Sequence, residues 1–291
     1  MLLAERDALD LVAVTTVAGD TRLRARIAAR LLGAGGRTDV EVCAGEEAPL
    51  LRARDRFAWF GHEGRGLPDA PDAPVYDEPA PERIVRAARE HPGLEILAVG
   101  PMTNVARALA LDPKLPTRVA ALWIMGGHVR SVRLGDRELP HGIDYNLCSD
   151  PEASVAVLGA GFATTLVTAD VTLRTWMAPA DVARLEAAPG ALARALGEML
   201  RIWSGTQKKL FTAWGGEEPA DFAAFLHDPL TALAMVDATP LRLESLRIVP
   251  TIQRSVLRTL ESGEAGNEMR VATDVDAAAA RGAIVDRLAR V

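Results

Sequence analysis

The amino-acid sequence predicts an α/β fold, in which an open, mostly parallel sheet is flanked by helices. Apolar runs typical of buried strands alternate with amphipathic stretches typical of helices. The predicted strands are Leu9–Val17, Val40–Ala44, Glu95–Val99, Ala120–Met125 and Thr164–Thr168. This alternation is typical of parallel strands joined by helices that cover both faces of a sheet.

Helices are predicted between these strands, at Thr21–Leu32, Pro81–Glu90 and Thr103–Leu111. The Pro- and Asp-rich stretch Pro68–Pro81 is predicted to be an exposed connection. From Pro179 onward the chain is strongly helical. We interpret residues 179–214 as a helical excursion within a single domain that spans residues 1–291, a length that suits one large α/β domain.

The composition excludes several classes of function. Of the 291 residues, 49% are hydrophobic and 25% are charged, which is typical of a soluble globular protein. The net charge of −6 gives no basic surface for nucleic acid. No apolar run approaches the roughly 18–20 residues that cross a bilayer, so no membrane is expected as a partner. Two cysteines, Cys43 and Cys148, make neither a disulfide framework nor a zinc site. We expect a cytoplasmic protein.

Polar and glycine-rich sequence follows three of the predicted strands, in Thr15–Asp20, Ala98–Asn104 and Ile124–His128. Ligands of open α/β sheets bind at the carboxyl ends of the parallel strands, so we expect the functional site there. Gly33–Gly36 is a different case, because it ends a helix instead of opening one. It therefore predicts a helix C-cap and not a phosphate-binding loop.

The segment His227-Asp228-Pro229 has two interpretations. Taken alone, it is typical of a helix start, with Asp228 as the N-cap and Pro229 at the first helical position. Alternatively, an imidazole beside a carboxylate suits acid–base chemistry or metal binding. From these residues alone we favour capping, since it accounts for two of the three.

Asp144 and Asn146 form a second candidate pair, just before the helix that Asp150 is predicted to cap. Alternate residues of an extended segment point to one face, which would present two oxygen-bearing side chains to a sugar's hydroxyl groups. A solvated loop is the commoner explanation for such a pair. At Val99, the following Gly100-Pro101 leaves the strand's last carbonyl without an obvious partner, and Thr103 is predicted to cap the next helix. Main-chain carbonyls are calcium ligands where carboxylates converge nearby.

Taken together, these segments resemble the inosine–uridine-preferring nucleoside hydrolase family. The matching landmarks are Val14–Gly19, Ala98–Asn104, Ile124–Gly127, Tyr145-Asn146 with Asp150–Ala153, and His227–Pro229. They occur in the family's order, with about its spacing, across residues 9–237. The resemblance implies a nucleoside hydrolase-like, Rossmann-like fold. It also implies hydrolysis of the N-glycosidic bond of a purine or pyrimidine ribonucleoside to ribose and base, by calcium-assisted attack of water.

The resemblance also assigns roles by position. Val99 would offer its carbonyl to the calcium ion, and Asp228 would be a carboxylate ligand. Asn146 would bind ribose. His227 would lie near the departing base, as the proposed catalytic acid of some members. The expected partner is a nucleoside substrate, and members of the family are usually homodimers or homotetramers.

Three positions depart from the family's pattern. Asp20 stands where the family usually has a ribose-binding Asn, Asp144 replaces the usual Glu, and Glu138 lies about where the family has another Asn. All three remain predicted substrate-binding residues, because a carboxylate can accept hydrogen bonds from ribose hydroxyls.

A fourth departure concerns the calcium site. The family's Asp-x-Asp-x-x-x-Asp-Asp cluster, which ends its first strand, has no copy here, and Met1–Arg6 has helix-forming composition without an N-cap before it. We therefore expect that the family's N-terminal strand is missing and that the calcium site is incomplete. For this chain we predict little or no hydrolysis. The alternatives are a catalytically impaired nucleoside-binding paralogue and a hydrolase of another N-riboside.

Overall fold

The computed structural model describes residues 1–51, 62–134, 137–139, 144–213, 221–254 and 256–291. The strands are β1 (Ala13–Thr15), β2 (Glu41–Cys43), β3 (Val75–Tyr76), β4 (Glu95–Ala98), β5 (Ala121–Met125), β6 (Val132–Leu134), β7 (Arg137–Leu139), β8 (Thr164–Val167), β9 (Trp176–Met177), β10 (Ala224–Phe225), β11 (Leu241–Gln253), β12 (Val256–Ser262) and β13 (Asn267–Val275). The helices are α1 (Thr21–Ala34), α2 (Ala80–Glu90), α3 (Thr103–Leu111), α4 (Leu115–Arg118), α5 (Tyr145–Ser149), α6 (Pro151–Gly159), α7 (Ala169–Thr172), α8 (Pro179–Glu186), α9 (Ala191–Ala213), α10 (His227–Val236) and α11 (Ala277–Leu288). A short 3-10 helix, Leu2–Glu5, precedes β1.

The predicted α/β class is confirmed. A larger sheet has the strand order β12-β11-β13-β8-β5-β4, and β4, β5, β8 and β13 run parallel within it. A smaller parallel sheet has the order β1-β2-β3. Each of the five predicted strands is present inside its predicted run, and the helix predicted at 21–32 extends to Ala34 and ends at Gly35, as its glycines indicate.

Hydrophobic clusters cover both faces of the larger sheet. Successive residues of a strand point to opposite faces, so Leu122 and Ile124 of β5 belong to one cluster and Trp123 to the other. The first cluster receives side chains from α2, α3 and α6, and the second receives them from α8, α10 and α11. The helices therefore lie on both sides of the sheet, as an alternating strand–helix pattern predicts.

The smaller parallel sheet and the larger mixed sheet are separate among the residues that the structure describes. In the described part of the chain, β1 pairs only with β2 and β4 only with β5. Their connection lies beyond the strand ends, where Asn104 Nδ2 donates to the Thr16 carbonyl at 2.9 Å and Asn104 Oδ1 accepts from the Glu46 N–H at 3.0 Å. One buried amide thus joins the loops that follow β1 and β2 to the start of α3.

Parts of the fold differ from the sequence prediction. Of the run Leu9–Val17, only Ala13–Thr15 is strand. The predicted connection Pro68–Pro81 is largely exposed but contains β3, and α2 begins within it at Ala80. The antiparallel strands β11–β13 were not predicted, although Leu241-Arg242-Leu243-Glu244 alternates apolar and charged residues as a half-buried strand does.

The helical excursion contains α8 and α9, and residue 214 at its predicted end lies outside the described residues. Among the helices that the structure describes, none combines the length and the apolar character that spanning a membrane requires.

Asp150 is fully buried and holds three segments together. It caps α6 by accepting the Ala153 N–H at 3.2 Å on Oδ1. Its Oδ2 accepts the Leu50 N–H at 2.9 Å and the Thr103 hydroxyl at 2.7 Å. The prediction that Thr103 caps α3 is therefore wrong, because Thr103 is the first residue of that helix and its hydroxyl is used by Asp150. The predicted capping role of Asp150 is confirmed.

We expect Asp150→Ala to destabilise the fold by about 3 kcal/mol or more, because it removes a cap and leaves buried donors of Leu50 and Thr103 without an acceptor. The matched control is Asp276→Ala. Asp276 caps α11 through the Ala279 N–H at 3.0 Å but is exposed, so its loss should cost about 1 kcal/mol. Urea unfolding of both variants measures the difference, and equal losses would contradict the role assigned to Asp150.

Candidate active site

Asn146 lies at the carboxyl ends of two parallel strands. Its Nδ2 donates to the Met125 carbonyl at 3.0 Å, at the end of β5, and to the Val99 carbonyl at 3.3 Å, just past the end of β4. Two of the predicted site residues, Asn146 and Val99, are thus in direct contact. Because Nδ2 donates to these two carbonyls, the amide oxygen is the group that Asn146 can offer to a ligand at this edge of the sheet.

Asp144 does not share a face with Asn146, because the segment is not extended. The helix α5 begins at Tyr145, and Asp144 is its N-cap, accepting the Leu147 N–H on Oδ1 at 3.0 Å. Burial raises the pKa of Asp144, and main-chain N–H groups of Leu147 and Gly127 oppose that shift. The prediction of a paired extended grip is therefore wrong, since an Asp before a helix satisfies the helix's own N–H groups.

The helix α10 begins two residues earlier than its sequence suggests. His227 is its first residue and Leu226 is its N-cap, so the prediction of Asp228 as N-cap is wrong. The Leu226 N–H donates to the Thr175 carbonyl at 2.9 Å. The Leu226 carbonyl accepts the first hydrogen bond of the helix, from the Leu230 N–H, at 3.0 Å. Asp228 instead lies in the first turn, where a negative charge interacts favourably with the helix dipole.

His227 is held by α7, the helix that directly follows β8. Its Nδ1 lies 2.6 Å from the Thr172 hydroxyl oxygen, and its ring centroid is 5.3 Å from that of Phe225. Burial lowers the pKa of His227 to about 4, so the imidazole is neutral at pH 7. If Thr172 donates to Nδ1, Nε2 carries the proton and can donate a hydrogen bond to a ligand. Thr172 itself was not predicted, although Thr168, Thr172 and Thr175 cluster just past a buried strand and could have indicated it.

Asp228 is exposed at this edge, yet the protein around it raises the pKa of its carboxyl to about 6. Removal of water disfavours the charged form of a carboxyl and of an imidazole alike. The pKa of Asp228 therefore rises while that of neighbouring His227 falls. At pH 7 the pair consists mainly of a carboxylate and a neutral imidazole.

The remaining two predicted residues are bonded to near neighbours in the sequence. Asp20 is exposed and caps α1, accepting the Leu23 N–H at 2.8 Å. Glu138 lies on β7 and accepts the Ser131 hydroxyl at 2.7 Å. Among the predicted site residues, Asn146 donates to the Val99 carbonyl through its amide and to the Asp144 carboxyl through its main-chain N–H.

The described residues do not fit a calcium ion. Ca²⁺ takes roughly six to eight oxygen ligands, whereas the resemblance assigns two, from Val99 and Asp228, and the Val99 carbonyl already accepts a hydrogen bond from Asn146. Among the residues that the structure describes, no group of three or more His, Cys, Asp or Glu side chains could hold a metal ion. No catalytic step is assigned to calcium on these residues.

We expect Asp228→Asn to stabilise the fold increasingly as the pH rises. The pKa of Asp228 is about 6 in the fold, above its ordinary value of 3.8, so its ionisation costs folding free energy between these two pH values. The difference in Tm between the variant and the parent should grow across that window and stay constant above it. Thermal unfolding followed by circular dichroism at several pH values measures this.

His227 has the opposite effect on the dependence of stability on pH. Its pKa is lowered from 6.5 to about 4, so the free energy of unfolding increases as the pH rises between those values. The Tm of Asp228→Asn should therefore rise with pH because of His227, whereas in the parent the ionisation of Asp228 partly offsets this rise. Asp7→Asn, at an exposed position, is the control and should follow the parent. A shift in the Tm of Asp228→Asn that is equal at every pH would contradict the raised pKa of this carboxyl.

Comparison with known proteins identifies a family that matches almost the whole chain. The family model described as inosine-uridine preferring nucleoside hydrolase matches residues 1–288. A probable uridine nucleosidase 2 of Arabidopsis thaliana is 30% identical over 302 residues, covering 96% of this chain and 89% of the relative. A pyrimidine-specific ribonucleoside hydrolase of an Enterobacter species is 33% identical, covering 77% of this chain and 69% of the relative.

Among solved structures, a plant nucleoside hydrolase superposes with a TM-score of 0.83 at 23% identity, covering 99% of this chain and 93% of that protein. At that level of identity the likeness shows the fold alone. The match of the family model along almost the whole sequence, together with the curated relatives, goes further: the chain belongs to the inosine-uridine preferring nucleoside hydrolase family and is a hydrolase.

Proposed function

We propose that this chain binds a ribonucleoside at the edge where β4, β5 and β8 end, and that the reaction supported there is hydrolysis of the N-glycosidic bond to ribose and base. The observation that carries this proposal is the position of Asn146, whose amide spans the ends of two adjacent parallel strands. Curated relatives are named for uridine or for pyrimidine ribonucleosides. Uridine is therefore the first substrate to test.

In this proposal Asn146 orients the ribose. Its Nδ2 is occupied by the carbonyls of Val99 and Met125, which fixes the plane of the amide. A fixed amide can present its oxygen to a ribose hydroxyl without losing further rotamer freedom on binding. Asp144 supports Asn146 indirectly, because it caps the helix on which Asn146 lies.

His227 and Asp228 would act on the opposite side of the ligand, at the start of α10. Cleavage of the glycosidic bond leaves electron density on the departing base, and a hydrogen-bond donor near the base stabilises it. A neutral imidazole oriented by Thr172 is such a donor. The Asp228 carboxylate would face the positive charge that develops on the ribosyl ring in an oxocarbenium-like transition state.

The three departures from the family's pattern do not by themselves favour another N-riboside. Asp20 and Asp144 each cap a helix, and Glu138 is bonded to Ser131. A binding protein without catalysis would share the contacts of Asn146, so only an assay of hydrolysis separates that alternative from an enzyme.

We expect Asn146→Ala to weaken uridine binding about tenfold or more, since a lost hydrogen bond with one buried partner left unpaired costs about 1–3 kcal/mol. Isothermal titration calorimetry measures the affinity. Ser149→Ala is the matched control: Ser149 lies on the same short helix and donates to the Tyr145 carbonyl at 2.7 Å. Equal affinities of Asn146→Ala and the parent would remove Asn146 from the site. No binding of uridine, cytidine or inosine by the parent would overturn the proposal.

We expect this chain to release ribose slowly from uridine, with or without added calcium, because Asp228 is the single carboxylate assigned as a ligand among the described residues. A reducing-sugar assay in the presence of calcium and of a chelator measures this. Rapid release of ribose that depends on calcium would show that Val99 and Asp228 are not the whole set of calcium ligands. Asp237→Asn, at the other end of α10, is the control for Asp228→Asn in the same assay.

A further inference from the structure

Arg24 of α1 joins two segments that lie far apart in the sequence. Its Nη1 donates to the Val17 carbonyl at 3.0 Å and to the Ala18 carbonyl at 2.6 Å. Its Nη2 and Nε both donate to Glu63 Oε1, at 2.7 Å and 3.2 Å. One guanidinium therefore bonds to the turn that follows β1 and to the segment His62–Gly66 at the same time.

The turn that Arg24 contacts has an unfavourable backbone. Ala18 has φ +64° and Gly19 has φ +62°, so two consecutive residues are left-handed, and for Ala18 this conformation is costly. The Ala18 N–H donates to the Glu46 carbonyl at 2.7 Å and the Gly19 N–H to the Glu47 carbonyl at 3.0 Å. The carbonyls of this turn point the other way, and a cationic donor binds them more strongly than a neutral one.

The segment His62–Gly66 is attached on its other side to α9. The His62 ring lies against Trp203, with ring centroids 4.6 Å apart. Gly66 has φ +74°, and a Cβ there would lie 3.2–3.3 Å from side-chain atoms of Ile202 and Met199. The segment thus connects α9 to α1, and the ion pair of Arg24 with the largely buried Glu63 forms its attachment to α1.

The turn Val17–Gly19 lies beside the proposed nucleoside site, because a Cβ on Gly100, the residue after Val99, would lie 2.9 Å from Val17 Cγ1. The turn leads directly into Asp20, a predicted substrate-binding residue. Tyr145 precedes Asn146, is 64% exposed and lies within electrostatic range of Arg24 and Glu63. Partial burial raises the pKa of Tyr145, while Arg24 lowers it and Glu63 raises it further. The turn that Arg24 contacts therefore lies at the edge where β4 ends.

We infer that Arg24 is a positioning residue of the nucleoside site, which fixes the turn Val17–Gly19 and the segment His62–Gly66 relative to each other. The inference rests on the proposed function for its effect on nucleosides. Its effect on the turn does not depend on any ligand. One measurement therefore tests the effect of Arg24 on the turn, and a second tests its effect on nucleoside binding.

The first measurement is hydrogen exchange by mass spectrometry without ligand. Arg24→Ala should speed exchange at least fivefold in peptides that cover residues 16–23 and 62–67. Glu63→Gln should speed mainly the second peptide, because Arg24 keeps the carbonyls of Val17 and Ala18. Arg24→Lys retains a charge but not the fork of donors, and should be intermediate. Arg26→Ala, exposed on the same helix, is the control and should match the parent.

The second measurement is the affinity for uridine by calorimetry, together with kcat and KM where ribose release is detectable. Arg24→Ala should weaken binding or raise KM at least fivefold with a smaller change in kcat, and Arg24→Lys should recover part of the loss. Unchanged exchange in Arg24→Ala overturns the inference, and so does faster exchange with unchanged affinity. If the parent binds no nucleoside, the proposed function fails, while the exchange rates alone still decide whether Arg24 holds the turn.

Discussion

Side-chain hydrogen bonds beyond the strand ends join the loops that follow β1 and β2 to α1 and α3. Thr16 donates through its hydroxyl to the Thr21 carbonyl at 2.8 Å, and Thr21 donates to the Gly45 carbonyl at 2.9 Å. Asn104 adds its bonds to Thr16 and Glu46. Gly45 allows this close approach, because a Cβ there would lie 2.3 Å from the Thr16 carbonyl oxygen. Among these contacts, those of Asn104 join the smaller sheet to α3, the helix that follows β4 of the larger sheet.

The same edge concentrates groups whose charge is costly. His227 and Asp228 are adjacent, and the surrounding protein shifts their pKa values in opposite directions, to about 4 and about 6. Burial explains both shifts, since it disfavours an imidazolium as much as a carboxylate. Perturbed groups of this kind lower the stability of a fold and are typical of sites that bind or transform a ligand. The shifted pKa values of His227 and Asp228 therefore lower the free energy of unfolding, and a role in capping α10 would not explain why both residues are placed there.

The parallel strands, and Val99 at the end of one of them, were accessible from the sequence, but the contacts that orient the site, including that of Asn146 with Val99, were not. Strands buried on both faces appear as continuous apolar runs, so β5 and β8 could be predicted from a few residues. The start of α10 was misplaced because the Leu226 N–H bonds to Thr175, a contact set by tertiary packing. Thr172 and Glu63 act across 55 and 39 residues of sequence, and no local pattern indicates such pairs.

The departures at positions 20 and 144 follow from what these residues do for the helices behind them. Asn and Asp are about equally good N-caps, so Asp20 can replace an Asn while still accepting the Leu23 N–H. At position 144, the shorter Asp reaches the Leu147 N–H directly and is buried in doing so. A carboxylate used in this way has less capacity left for ribose than an exposed one. In the proposed site, recognition of the sugar would then depend more heavily on Asn146, whose amide donates to the carbonyls at the ends of two strands.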